Sequence, residues 1–171
     1  MPFQDRDKVI ASVLLELEFS RILIVNQKQA ELDRFGKLLP KGGYCYGYSE
    51  YWKSVLLTMD LDLVRQQFPT NLPLSDEVIF LQRKASCSVR EDKMKNKPYV
   101  AAMIQLIVEK FLLGNQKPQT MLEIMLADRP RDRSYHDLRA YWDEHNHLHW
   151  FDANAGWFRS NNPNPSADSI A

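Results

Sequence analysis

The spacing of hydrophobic positions changes partway along this chain, and that change predicts its architecture. Val9 to Glu18 (VIASVLLELE) is dense in helix formers and predicts a first helix. Arg21 to Val25 is short and β-branched, so helix and strand compete there. Phe35-Gly36 and Leu39 to Gly43 predict a break. From Cys45 the apolar positions step by three and four. Cys45, Tyr48, Trp52, Val55 and Met59 fall on one face of a helix expected to run toward Gln67. Ser75-Asp76-Glu77 offers a cap for a further helix reaching Ala85. Tyr99 to Leu113 carries Val100, Ile104, Ile107 and Phe111 at helical spacing and predicts the most buried helix, stopped at Gly114.

After Gly114 the period falls to two. Leu122, Ile124 and Leu126 alternate with Met121, Glu123 and Met125, as in a strand. Tyr135 to Asp143 and Leu148 to Asp152 read as a hairpin across Glu144 to His147, and Gly156 to Arg159 predicts one more strand. Helices first and an antiparallel sheet afterwards predict an α+β domain over residues 1–160. Asn161 to Ala171 is rich in Asn, Pro and Ser and reads as a disordered tail.

Composition narrows the function classes. With 22 basic and 22 acidic residues the formal charge is zero, so nothing points to nucleic acid as a partner. The apolar runs are far shorter than a membrane span requires, and Met1 to Ser20 carries no signal-peptide pattern. Two cysteines, Cys45 and Cys87, are too few for a disulfide framework, and Cys45 is expected as a reduced thiol.

Three residues carry the candidate chemistry. Cys45 stands at the mouth of an apolar helix after Gly42-Gly43, where helix amides and the helix dipole favour a thiolate. His136 opens a strand, and Asp152 closes the next one. Neighbouring strands lie about 4.8 Å apart, so the end of one can reach the start of the other. Asp152 is expected to accept the Nδ1–H of His136, leaving Nε2 for the thiol. A nucleophile, a base and a carboxylate that orients the base are the parts of thiol-based acyl transfer.

Gly43-x-Cys45-x-Gly47-x-Ser49-x-x-Trp52, then His136, then Phe151-Asp152-x-Asn154-x-Gly156-x-Phe158 together resemble the YopT/AvrPphB-type cysteine proteases. Those are bacterial type III effectors with a papain-like fold. The resemblance spans roughly residues 40 to 160, a domain-sized stretch. It implies Cys45 as nucleophile, His136 as general base and then acid, and Asp152 as orienting carboxylate. It implies no cofactor and no metal. The implied partner is a host protein substrate: a prenylated Rho-type GTPase, a kinase or the protease's own precursor. Membrane contact would come only through a lipidated substrate, and the chain is expected to be a monomer. Residence in the bacterial cytoplasm, then signal-peptide-independent secretion into host cytoplasm, is implied as well. Papain-like proteases commonly place a Gln or Asn shortly before the cysteine, whereas Leu38 to Lys41 holds no amide. The second oxyanion donor is therefore unassigned by the sequence.

Three other readings compete. His145, His147 and His149 form a His-x-His-x-His run that invites a metal, but no fourth ligand is marked. The same triad also supports deamidation, transglutamination or acyl transfer, since all pass through a thioester. A catalytically impaired protein-interaction module, with Trp142, Trp150 and Trp157 as binding aromatics, is the non-enzymatic alternative.

Overall fold

A computed structural model describes residues 11–39, 43–87, 119, 121–127 and 135–163. The architecture is α+β. Five strands, β1 (Phe19–Leu23), β2 (Met121–Ala127), β3 (Tyr135–Trp142), β4 (Leu148–Asp152) and β5 (Gly156–Ser160), form one antiparallel sheet in the order β1-β5-β4-β3-β2. The expectation of helices first and sheet afterwards needs one correction. Phe19–Leu23 settles as a strand on the edge beside β5, so the sheet draws on both ends of the described chain.

The two hairpins follow from turn chemistry. Between β3 and β4 the Asp143 carboxylate accepts the N–H groups of His145 and His147, both at 2.9 Å, and Asn146 takes a left-handed φ of 64°. Between β4 and β5 the Asp152 carbonyl accepts Ala155 N–H at 3.1 Å, and Gly156 follows at φ 138°. A side chain at Gly156 would also run into the Leu23 carbonyl of β1. Only glycine satisfies both demands.

Apolar side chains fill both faces of the sheet. Leu138, Ala140, Trp142, Trp150 and Phe158 pack with Leu14 and Phe19 on one side. Phe151 and Trp157 face Tyr48, Trp52, Leu56, Val64 and Val78 on the other. There Trp52 stacks on Phe151 with ring centroids 5.1 Å apart and meets Trp157 edge-on at 6.0 Å. Each such pair contributes about 1 kcal/mol beyond area burial.

The helices on that second side are α1 (Gln27–Phe35), α2 (Cys45–Ser54), α3 (Leu61–Gln67) and α4 (Asp76–Cys87). The single helix expected from Cys45 toward Gln67 is broken. It stops at Ser54, passes through a 3₁₀ turn at Leu56–Thr58, and restarts at α3. Asp60 is the cause: its carboxylate caps the N–H groups of Asp62 at 2.8 Å and Leu63 at 3.3 Å, which fixes a new helix start. The cap expected at Ser75 is present, its Oγ accepting Val78 N–H at 3.3 Å. Among the described residues no helix is long and apolar enough to cross a membrane.

The helix expected over Tyr99 to Leu113 and residues 164–171 of the expected tail lie outside the described residues. Asn161 and Asn162 are tied back to the domain. Asn161 N–H donates to the Glu18 carbonyl at 2.9 Å, and the Asn162 amide donates to the Glu18 carboxylate at 3.0 Å.

Candidate active site

Cys45 is the first residue of α2, and its thiol side chain is nearly enclosed at 7% exposure. No side chain caps this helix start, and Tyr44 takes the cap position with its carbonyl accepting Tyr48 N–H at 2.9 Å. The two glycines flanking Cys45 in the motif, Gly43 and Gly47, serve packing. A Cβ at Gly47 would strike the Val78 carbonyl of α4, and the Gly47 N–H donates to Gln82 Oε1 at 2.8 Å. A Cβ at Gly43 would come within 2.8 Å of Gln27 Oε1. What presses on Gly43 is thus the protein's own Gln27 amide.

The structure brings the three predicted residues together. His136 Nε2 lies 2.8 Å from Asp152 Oδ1, and the same ring hydrogen-bonds the Cys45 side chain. The register explains the first contact: Asp152 pairs with Leu138, so His136 stands diagonally across from it. Asp152 is fully buried, and its Oδ1 also accepts Asn154 N–H at 2.8 Å. The turn after β4 thus fixes the carboxylate that fixes the imidazole.

The ring is turned the other way from the sequence expectation. Nε2, not Nδ1, meets Asp152, which leaves Nδ1 for the sulfur. The reason is the position of Cys45 against the β3 backbone, where Asp137 N–H donates to Sγ at 3.4 Å. The distal nitrogen reaches across to β4, and the nitrogen nearer the main chain is the one left for the sulfur. Burial disfavours a charged imidazole here, but the Asp152 carboxylate, its hydrogen bond and Cys45 outweigh burial and raise His136 well above the usual 6.5.

Gln27 is the site residue that sequence reasoning missed. It is 7% exposed, its Oε1 accepts Tyr44 N–H at 2.6 Å, and its Nε2 donates to Asn154 Oδ1 at 2.6 Å. Its backbone N–H donates to the Ala153 carbonyl at 2.9 Å. One amide therefore braces the chain entering Cys45 against the turn holding Asp152. Leu38 to Lys41 holds no amide side chain, whereas this one arrives from the start of α1. The signal available was Asn26, whose side chain caps Gln29 N–H at 3.1 Å and marks the helix start.

The three-histidine run divides among separate partners. His145 is exposed beside Glu144, and His147 Nδ1 lies 2.8 Å from the Ser160 carbonyl. His149 is buried, with Nε2 2.8 Å from Asp143 Oδ2 and Nδ1 accepting Trp157 Nε1–H at 2.9 Å. Accepting at Nδ1 requires a neutral ring, and burial lowers His149 against the pull of Asp143. This pair floors a cleft of about 520 Å³ near Met59, Tyr141 and Arg159, at the far end of the strands from Cys45.

Unfolded, His149 titrates near 6.5. Its stabilising contribution is therefore complete above that pH and shrinks as pH falls below it, by up to about 1.4 kcal/mol per unit. His149→Gln should show a shallower loss of Tm than the unsubstituted protein between pH 6.5 and pH 5. Equal slopes would place the acid sensitivity elsewhere.

No protein-family model, no curated protein and no solved structure was found to match this chain.

Proposed function

We propose that this chain is a cysteine endopeptidase of papain-like architecture. The observation that carries the proposal is the meeting of Cys45, His136 and Asp152, three residues distant in sequence, at the joint between α2 and the ends of β3 and β4. The raised His136 suits an imidazolium standing beside a thiolate.

In this reading the Cys45 sulfur attacks a peptide carbonyl carbon, and the carbonyl electrons move onto oxygen. The oxyanion lies against the start of α2, where Cys45 N–H is one expected donor. Gln27 Nε2, which spends one of its two N–H groups on Asn154, is the candidate for the second. Imidazolium His136 protonates the departing amine as the carbon–nitrogen bond breaks, which leaves a thioester. Neutral His136 then takes a proton from water, the resulting hydroxide displaces the sulfur, and the acid product leaves with the thiolate–imidazolium pair restored. Asp152 holds the ring throughout. By the resemblance, the substrate is a host protein and the chain a bacterial effector secreted without a signal peptide.

A peptide-library digest tests this reading. Cleavage products are expected with the unsubstituted protein and none with Cys45→Ala. An intact peptide converted from amide to acid would replace hydrolysis of the chain by deamidation. Intact, unmodified peptides under reducing conditions would overturn the enzymatic reading.

A further inference from the structure

Arg139 lies in the middle of β3 and is 2% exposed, an unusual place for a side chain that stays charged. Its Nε donates to Asp137 Oδ1 at 2.8 Å, and its Nη2 donates to Glu50 Oε1 at 2.9 Å. Glu123 of β2 approaches Nη2 at 3.6 Å, and the guanidinium lies 5.6 Å from the centre of the Tyr46 ring. These groups come from α2, β2 and β3, and each faces Arg139. Three carboxyl groups around one guanidinium exceed what charge pairing alone calls for. Burial pushes Asp137 up against the pull of Arg139, and a hydrogen bond with Glu123 pushes it the same way.

The cluster's connections give it a second role. Glu50 belongs to the helix that begins with Cys45, and Asp137 follows His136. The Asp137 N–H is the group that donates to the Cys45 sulfur. Arg139 therefore ties the nucleophile's helix to the base's strand while gripping the residue whose amide touches the nucleophile. We propose that Arg139 is a positioning residue: through Glu50 and Asp137 it holds the Asp137 amide on the Cys45 sulfur and so sets that sulfur's reactivity. This rests on Cys45 being the nucleophile.

Removing Arg139 would leave buried Asp137 without its cationic partner and endanger folding. Glu50 is the better lever, because its side chain is 25% exposed and Arg139 keeps Asp137 without it. In a Cys87→Ser background, Glu50→Gln and Glu50→Asp are compared with the parent by iodoacetamide alkylation of Cys45 at pH 6 and pH 9. A circular-dichroism melt checks that each variant folds. Glu50→Asp keeps the charge but shortens its reach by one methylene.

Both variants should lower the pH 6 rate about five- to tenfold, the scale of a misplaced hydrogen bond to a charged sulfur, and leave the pH 9 rate nearly unchanged. A purely electrostatic influence has the opposite sign, since removing a negative charge favours the thiolate. A faster or unchanged pH 6 rate in Glu50→Gln, or parental behaviour in Glu50→Asp, would overturn the proposal. His136→Ala separates the two claims. If it lowers the pH 6 rate while the Glu50 variants do not, the positioning role fails and the nucleophile stands. If it too leaves the rate unchanged, the Cys45–His136 reading itself fails.

Discussion

Cys45→Ala and His136→Ala should each reduce peptide hydrolysis by at least about 1,000-fold, because nucleophile and base act as one unit. The two differ in what they do to the fold. Cys45→Ala removes one sulfur from a small, nearly closed position, so its melting curve should stay close to that of the unsubstituted protein. His136→Ala takes away the cationic partner of a fully buried Asp152, leaving Asn154 N–H as the donor to Oδ1. That variant should lose about 1–3 kcal/mol of stability as well as activity. Cys87→Ser should keep both. Activity assays paired with thermal melts check all three, and substantial hydrolysis by Cys45→Ala would contradict the assignment.

Asp152→Asn should cost about 100- to 10,000-fold in turnover while preserving the shape of the site, because an amide no longer enforces the ring's tautomer or favours its charge. A thiol is intrinsically more nucleophilic than a hydroxyl, which favours the lower part of that range. The pH profile is the sharper readout. Asp152 is the chief group raising His136, so the alkaline limb should lie well above 6.5 in the unsubstituted protein and move down toward 6.5 in Asp152→Asn. The linkage has the same origin. A raised folded-state histidine gives stability that is complete below about pH 6.5 and is lost as pH rises through the raised value. Asp152→Asn should flatten that alkaline loss of Tm. An alkaline limb that stays in place would remove Asp152 from the role of orienting carboxylate.

What the sequence disclosed depended on how each element buries itself. The hairpins from Tyr135 to Ser160 were readable because alternation and turn residues agree, with Asp143 and Asp152 each closing a strand and bonding the following turn. Cys45, His136 and Asp152 could be chosen because each stands at the end of an element, where chemistry is commonly placed. Helix α1 was invisible to hydrophobic periodicity, since the face it buries is Gln27, Ala30 and Glu31. Arg139 was hidden for a related reason. A charged residue alternating with Asp137 and Tyr141 reads as a solvated strand face until α2 is seen to cover it. The orientation of the His136 ring depends on where Cys45 sits against the β3 backbone, which is a tertiary fact. The break after Ser54 was legible in principle through Asp60, but apolar residues at Val55 and Met59 continued the helical spacing and masked it.

In the proposed mechanism the sulfur at the head of α2 is made reactive by the imidazole on the neighbouring strand. The most direct measurement exposes the parent and His136→Ala to a peptidyl epoxide at neutral pH, then locates the adduct by peptide mass spectrometry. One adduct, on Cys45, is predicted for the parent and almost none for His136→Ala. An adduct confined to Cys87, or equal labelling of Cys45 in both proteins, would contradict the account.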